Sequence, residues 1–412
     1  MEENCEMQTV DKAVISTFQE NVGSGSGSAS GCGQSLVASR RNTVTMTGAI
    51  GTQIRVKKLF NFTQIFFFAL TFLSSWETMI LNIYAVFTNG GPQALAWGII
   101  VVIAGALAQS ASLAEMASMQ PIAGAQYHWT HYLAPVKQRR FITWMQGFDG
   151  AVHMSEEVRR AKKAVPRSMF WTVALNGVLA YGIIITILFT MGPISDIVNA
   201  SSPIMHIFYH ATGSLSAATA LICGLVIISF AVNLASIAST SRLTWAWSRD
   251  GALPKWFSYI DQKHSVPVRA VWLPIAIVMV LSCLNIASTT AFGAFVALTS
   301  IGLFASYIIA ISCMLHARFY RNRLKFGEWT MGRLGLPVNI FALLYTLYLT
   351  VFLPFPQLLP VEADNMNYAL PIFGANILFA LAFWFLWARK NWRGLNKEVI
   401  RLVVESGELS LK

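Results

Sequence analysis

From Phe60 onward the chain alternates long apolar stretches with short polar ones. The first stretch runs from Phe60 to Phe87, turns at Asn89-Gly90-Gly91-Pro92, and returns from Ala94 to Ala117. Six more follow: Met169–Met191, Leu215–Ser241, Val271–Ile286, Phe292–Leu315, Pro337–Leu358 and Ala369–Trp387. Crossing about 30 Å of hydrocarbon takes about 20 residues of helix, so each stretch is adequate, or slightly short. The pattern predicts an all-α, polytopic membrane protein of about eight spans, paired as four hairpins.

Charge then orients the hairpins. All 30 Lys and Arg fall in blocks at Lys12–Lys58, Lys137–Arg167, Arg242–Arg269, Arg318–Arg333 and Arg389–Lys412. The turns at the other ends hold no Lys or Arg and carry only Asp196, Glu362 and Asp364 as charges. This is the positive-inside pattern, and it predicts cytoplasmic termini; a plasma-membrane location is a separate expectation. Net charge +11 could suggest a nucleic-acid partner, but these cations lie in loops between spans and suit anionic lipid. Asn199-Ala200-Ser201, in the longest outer loop, is an N-glycosylation tripeptide.

The remaining segments are read from composition. Residues 1–58 are expected to be a disordered cytoplasmic tail, with Gly23–Gly33 almost wholly Gly, Ser and Ala. Residues 59–389 form the membrane domain and 390–412 a second cytoplasmic tail. No cleavable signal peptide is expected, because the first 58 residues lack an apolar core. Cys5 and Cys32 in the tail and Cys223, Cys283 and Cys313 in spans make no disulfide framework. The segment 141–154 is apolar but short, reaching only about 21 Å as a helix. It contains Asp149 and His153 and is flanked by basic clusters, so it is expected to be a non-spanning junction.

Candidate chemistry begins with Glu77, an acid near the middle of the first span, where insertion costs a few kcal/mol. Trp76 is beside it, and Ser74 and Ser75 can satisfy backbone groups where a helix unwinds. The functional reading is an ammonium site, with Glu77 as counter-charge and Trp76 as a π face. The alternative is an acid that bonds a neighbouring helix. Glu115 reads as an interfacial acid reaching toward water, with an inner-loop hydrogen bond as the alternative. Gly124, after Pro121, reads as a tight turn. His128-x-x-His131 and His206-x-x-x-His210 have ligand spacing but no third ligand. Arg249-Asp250-Gly251, with Pro254 beyond, reads as a helix stop. No catalytic array, phosphate loop or cofactor motif is present, so no enzyme and no cofactor are predicted.

Three stretches resemble the fungal amino acid/choline permeases of the amino acid–polyamine–organocation superfamily. They are Thr71–Glu77 with Thr88–Pro92; Ser112–Glu115 with Pro121–Trp129 and Leu133–Pro135; and Gly147–Glu157 with Ala164–Pro166 and Ser248–Pro254. The resemblance implies secondary transporters of amino acids, choline or γ-amino acids, with two inverted five-helix repeats and a site between broken helices one and six. It places Phe148, Asp149 and Gly150 at the second break, and gives Ser236, Ser239 and Thr240, together with Asn233, a possible role in ion coupling, protons being expected over sodium. Arg139–Gln146 resembles the start of helix three, so helices three to the first half of six are missing near Gly147. That gap implies impaired transport, or a non-transporting chain that associates with or regulates a full-length permease.

The orientation has a direct test. Asn199→Gln should abolish a glycosidase-sensitive mobility shift on membranes from a eukaryotic host; an unglycosylated wild type would count against an outer location for this loop.

Overall fold

The computed structural model describes residues 60–74, 79–80, 83–146, 151–261, 263–264, 266–320, 324–356, 360–362, 366–392 and 394–395. The tail 1–58 and most of the tail 390–412 lie outside the described residues, as do Ser75, Trp76, Glu77, Phe148, Asp149 and Gly150. The helices are α1 (Phe62–Leu73), α2 (Ile83–Asn89), α3 (Gly91–Met119), α4 (Gln126–Leu133), α5 (Arg139–Met145), α6 (Ala161–Thr190), α7 (Ile194–Asn199), α8 (Pro203–Thr212) and α9 (Leu215–Arg249). After these come α10 (Val268–Ala287), α11 (Thr289–Tyr320), α12 (Gly335–Phe352) and α13 (Ala369–Asn391), the last with a π turn at Trp384–Ala388. A 3-10 helix, Ala151–Glu157, precedes α6. Among the described residues the only β pairing is an isolated parallel bridge between Phe60 and Val158.

Seven of these helices are long and apolar enough to cross a membrane, so the chain is an all-α polytopic membrane protein. Among the described residues of the expected first span, Phe60–Phe87, α1 ends at Leu73 and α2 begins at Ile83. α1 begins in a reciprocal cap: Gln64 N donates to Asn61 Oδ1 at 3.0 Å and Asn61 N donates to Gln64 Oε1 at 2.9 Å. It ends at Ser74, whose backbone is left-handed (φ 35°, ψ 42°).

Other boundaries move for identifiable reasons. α9 continues past Ser241 to Arg249, because its last turns are buried in protein and their arginines are paired. α12 stops at Phe352 rather than Leu358, since Pro354 and Pro356 cannot extend it. α6 starts at Ala161, before its apolar run, and carries Pro166 inside the helix. That proline has no N–H for the Lys162 carbonyl one turn back. Ser118 Oγ from α3 donates to it instead, at 2.9 Å.

α3 packs against α6 on one side and α12 on the other, and α1 packs against α6 and α9. Apolar clusters close both ends of this arrangement. Met116, Trp129, Met154, Val158 and Met314 pack at one end, and Ile80, Ile83, Leu95, Ile184 and Ile207 at the other. Four basic blocks meet at the first end. Arg318 pairs with Glu115, Arg242 with Glu157 and Arg249 with Glu156, while Arg140 donates to the Trp392 carbonyl.

Lipid is as apolar as leucine, so helices associate through close packing and hydrogen bonds. Between α3 and α12, Gln109 Nε2 donates to Thr346 Oγ1 at 2.8 Å. Nearby, Gly105 lies under the Tyr345 ring, and a methyl group there would fall 2.3 Å from ring carbons. Gly105→Ala should therefore lower the unfolding temperature in detergent, by about 1–3 kcal/mol of overpacking. Adding Tyr345→Ala should recover part of the loss; a neutral single substitution would show that α3 and α12 do not pack this closely.

Candidate functional site

The first candidate region is the end of α1. Ser74 is buried, and its N–H donates to Leu70 O at 3.2 Å, closing the helix in the left-handed conformation that glycine adopts at least cost. Holding a serine there costs about 1–3 kcal/mol, which the packing of α1 on α6 and α9 must offset. The α9 face holding Ser236, Ser239 and Thr240 belongs to a helix packed on α1. Ser239 is fully buried, whereas Ser236 Oγ and Thr240 Oγ1 donate back along their own helix, to Val232 O at 2.9 Å and Ser236 O at 2.8 Å. Asn233 and Thr240 are exposed.

The second region is a buried ionic cluster at the basic end. The 3-10 helix ends in two consecutive carboxylates, Glu156 and Glu157. Arg249 clamps Glu156 with two bonds of 2.8 and 2.9 Å, and Ala123 N donates to the same carboxylate at 2.9 Å. Arg242 Nε donates to Glu157 Oε1 at 2.6 Å. The two arginines lie seven residues apart, two turns along one face of α9, so neighbouring acids can meet both. Arg249 also lies over the Trp245 ring, 4.4 Å from its centre. Removing one member of such a buried pair costs about 3–5 kcal/mol.

Asp250 extends the cluster to α4. Its Oδ2 accepts from Tyr127 Oη at 2.7 Å and contacts His128 Nε2 at 2.9 Å. Burial alone would raise the Asp250 carboxyl, but His128, Arg249 and the Tyr127 hydroxyl outweigh it and hold it below the usual carboxylate range. Burial, and then the Asp250 charge, push the Tyr127 phenol well above its usual value. Gly124 makes room for this contact, since a methyl group there would fall 2.1 Å from His128 Cδ2. Arg249-Asp250 is thus more than a helix stop: both side chains are buried and bound.

Glu115 corrects the reading of an acid reaching toward water. It is fully buried, pairs with Arg318, and accepts from Thr330 Oγ1 at 3.1 Å and Met331 N at 3.2 Å. Arg318 lies in turn over Phe326. Of the two readings, a hydrogen bond to a loop is therefore the arrangement found. At the junction, Gln146 is buried and donates to Ser306 Oγ at 2.6 Å while accepting from Thr130 Oγ1 at 2.8 Å. Asn199, at the opposite end, is exposed, and its amide donates to Ser195 O at 2.8 Å. His131 faces Thr143 and His210 faces Thr190 O, and no metal-binding group of three was found among the described residues.

Comparison with known proteins gives this geometry a family. The sequence model of the amino acid permease family matches residues 60–146 and 140–377. The chain belongs to the amino acid permease family. Amino-acid permease 2 of Neurospora crassa is 31% identical over 256 residues, covering 61% of this chain and 46% of that protein. The choline transporter of Saccharomyces cerevisiae is 29% identical over 253 residues, 60% of this chain and 44% of its own. Amino-acid permease BAT1 of Arabidopsis thaliana is 28% identical over 258 residues, 60% and 49% respectively. This family member spans about half the length of the curated relatives it matches.

The Asp250 contacts make stability depend on pH in a defined direction. With its folded value depressed, the carboxylate's contribution is complete above its unfolded value of about 4 and is lost as pH falls through the folded value. The raised Tyr127 contribution is complete below about pH 10 and is lost above it. Asp250→Asn should therefore be less stable than wild type at pH 7, with the gap narrowing below about pH 4 in thermal unfolding. A gap that stays constant on acidification would refute the role of the carboxylate charge.

Proposed function

We propose that this chain derives from a secondary active transporter of a small amine-bearing solute: an amino acid, choline or a γ-amino acid. The observation that supports this most is the left-handed break at Ser74, which divides an otherwise apolar first span in a member of the permease family. The solute would move by alternating access about a midplane site, with protons favoured over sodium as coupling ion. Glu77 would supply the counter-charge and Trp76 the π face. Ser74 and Ser75 would serve the freed backbone, and Phe148, Asp149 and Gly150 would complete the site from the second break. Ser236, Ser239 and Thr240 are the residues offered for ion coupling. The basic end faces the cytoplasm in this reading, in the plasma membrane.

A second reading has its own support. The family match falls in two pieces that meet at 140–146, and the chain spans about half of each relative. Both fit an internal gap of helices three to the first half of six. We infer that this form transports poorly or not at all, and that it could act by associating with an intact permease.

Uptake of radiolabelled amines by permease-deficient cells tests both readings. The 412-residue chain should give no saturable uptake, while a form with the gap filled should transport and lose activity about tenfold or more with Glu77→Gln. Saturable uptake by the short chain would remove the impairment. Failure of the filled form would remove the transport reading.

A further inference from the structure

Three arginines at the basic end, Arg242, Arg249 and Arg318, have buried glutamate partners. A second group of cations does not. Lys137, Arg139 and Arg140 flank the start of α5, and Arg389 and Lys390 lie in the last turn of α13. Arg140 and Arg389 are 249 residues apart in sequence, yet Arg140 Nη2 donates to Arg389 O at 3.3 Å and to the Trp392 carbonyl. The fold thus gathers five cations on one edge. Among the described residues none of the five forms an ion pair.

The same edge is aromatic on the membrane side. Trp144 packs on Phe383 (5.7 Å between ring centres), Trp384 (6.0 Å) and Trp392 (5.6 Å), and Phe141 packs edge-on to Trp384. Trp384 is buried inward at the start of the π turn, while Trp387, Leu386 and Phe385 point outward with 44, 80 and 61% exposure. Rings of this kind lie at headgroup depth, with acyl chains on one side and charged groups on the other.

We propose that this edge binds an anionic phospholipid. The phosphate oxygens would accept from Lys137, Arg389 and Lys390, and the acyl chains would lie along Trp387, Leu386 and Phe385. A lipid fits better than a free phosphate because the cations sit directly above an exposed apolar belt, so charge and hydrocarbon are matched by one molecule. Arg140 holds α5 against the end of α13 and keeps the cations together; it is a positioning residue. The proposal rests on the orientation given above, with the basic end toward the anionic leaflet.

Native mass spectrometry of the detergent-purified full chain, titrated with phosphatidylserine or phosphatidylcholine, tests it without any transport assay. Wild type should retain phosphatidylserine about tenfold or more over phosphatidylcholine, given about 1 kcal/mol per basic residue near a charged surface. Lys137→Gln/Arg389→Gln/Lys390→Gln keeps Arg140 and should lose that preference. A control with the same loss of charge, Lys263→Gln/Lys325→Gln/Arg333→Gln, should keep it; all three of those side chains are exposed. Equal retention of the two lipids, an equal loss in both triple variants, or displacement by millimolar inorganic phosphate would each overturn the proposal. Selective retention without uptake by the gap-filled form would count against the transport reading alone.

Discussion

A guanidinium placed among apolar helices is tolerable only when a carboxylate meets it, and Glu156 and Glu157 meet two within one turn of chain. Their positions set much of the basic end. Because Arg242 and Arg249 share a face of α9, the helix cannot rotate about its axis without unpairing both. Ala123 N donates to the Arg249-bound carboxylate, which carries the constraint into the turn before α4. Asp250 then receives the Tyr127 hydroxyl and contacts His128 on α4 itself. The segment joining α3 to α5 is therefore held by polar contacts as well as by the burial of Ile122, Trp129 and Leu133.

Glu115 performs the same task on the other side of α3. It joins the end of that helix to Arg318 on α11 and to the loop at Thr330 and Met331. Ser118, one turn on, accepts from Trp329 N and donates to the Lys162 carbonyl that Pro166 leaves without a donor. Two polar residues on one helix thus connect α3 with α6, α11 and the loop after α11. In hydrocarbon such contacts stand in for the hydrophobic collapse that organises a soluble core.

Much of this architecture was legible in the sequence. The apolar runs located the spans, and the segregation of cations marked the end where Arg140, Arg242, Arg249 and Arg318 come together. Helix ends were less legible wherever tertiary contacts decide them. α9 outruns its apolar stretch because its arginines are neutralised, and α12 stops early because of its prolines. The ionic cluster was missed as a unit, since its members are scattered over Glu115, Tyr127, Glu156 and Arg249. One signal was available: in a chain with only 12% charged residues, acids and bases next to the spans should be matched in pairs before they are assigned to water. Of the residues proposed for an amine site only Ser74 is among those described, and its glycine-like conformation was not something composition could reveal.

The parallel bridge between Phe60 and Val158 has a mechanical meaning. Phe60 N donates to Glu157 O at 2.9 Å, and Arg159 N donates to Phe60 O at 2.7 Å, so the entrance to α1 is stitched to the residue whose side chain holds Arg242. Any tilting of α1 would pull on that stitch and be felt at α9 through the Glu157 side chain. The entrance to α1 and the carboxylate turn are thereby joined at the basic end. α1 is thus tied to α9 twice, by direct packing and by this stitch at its entrance.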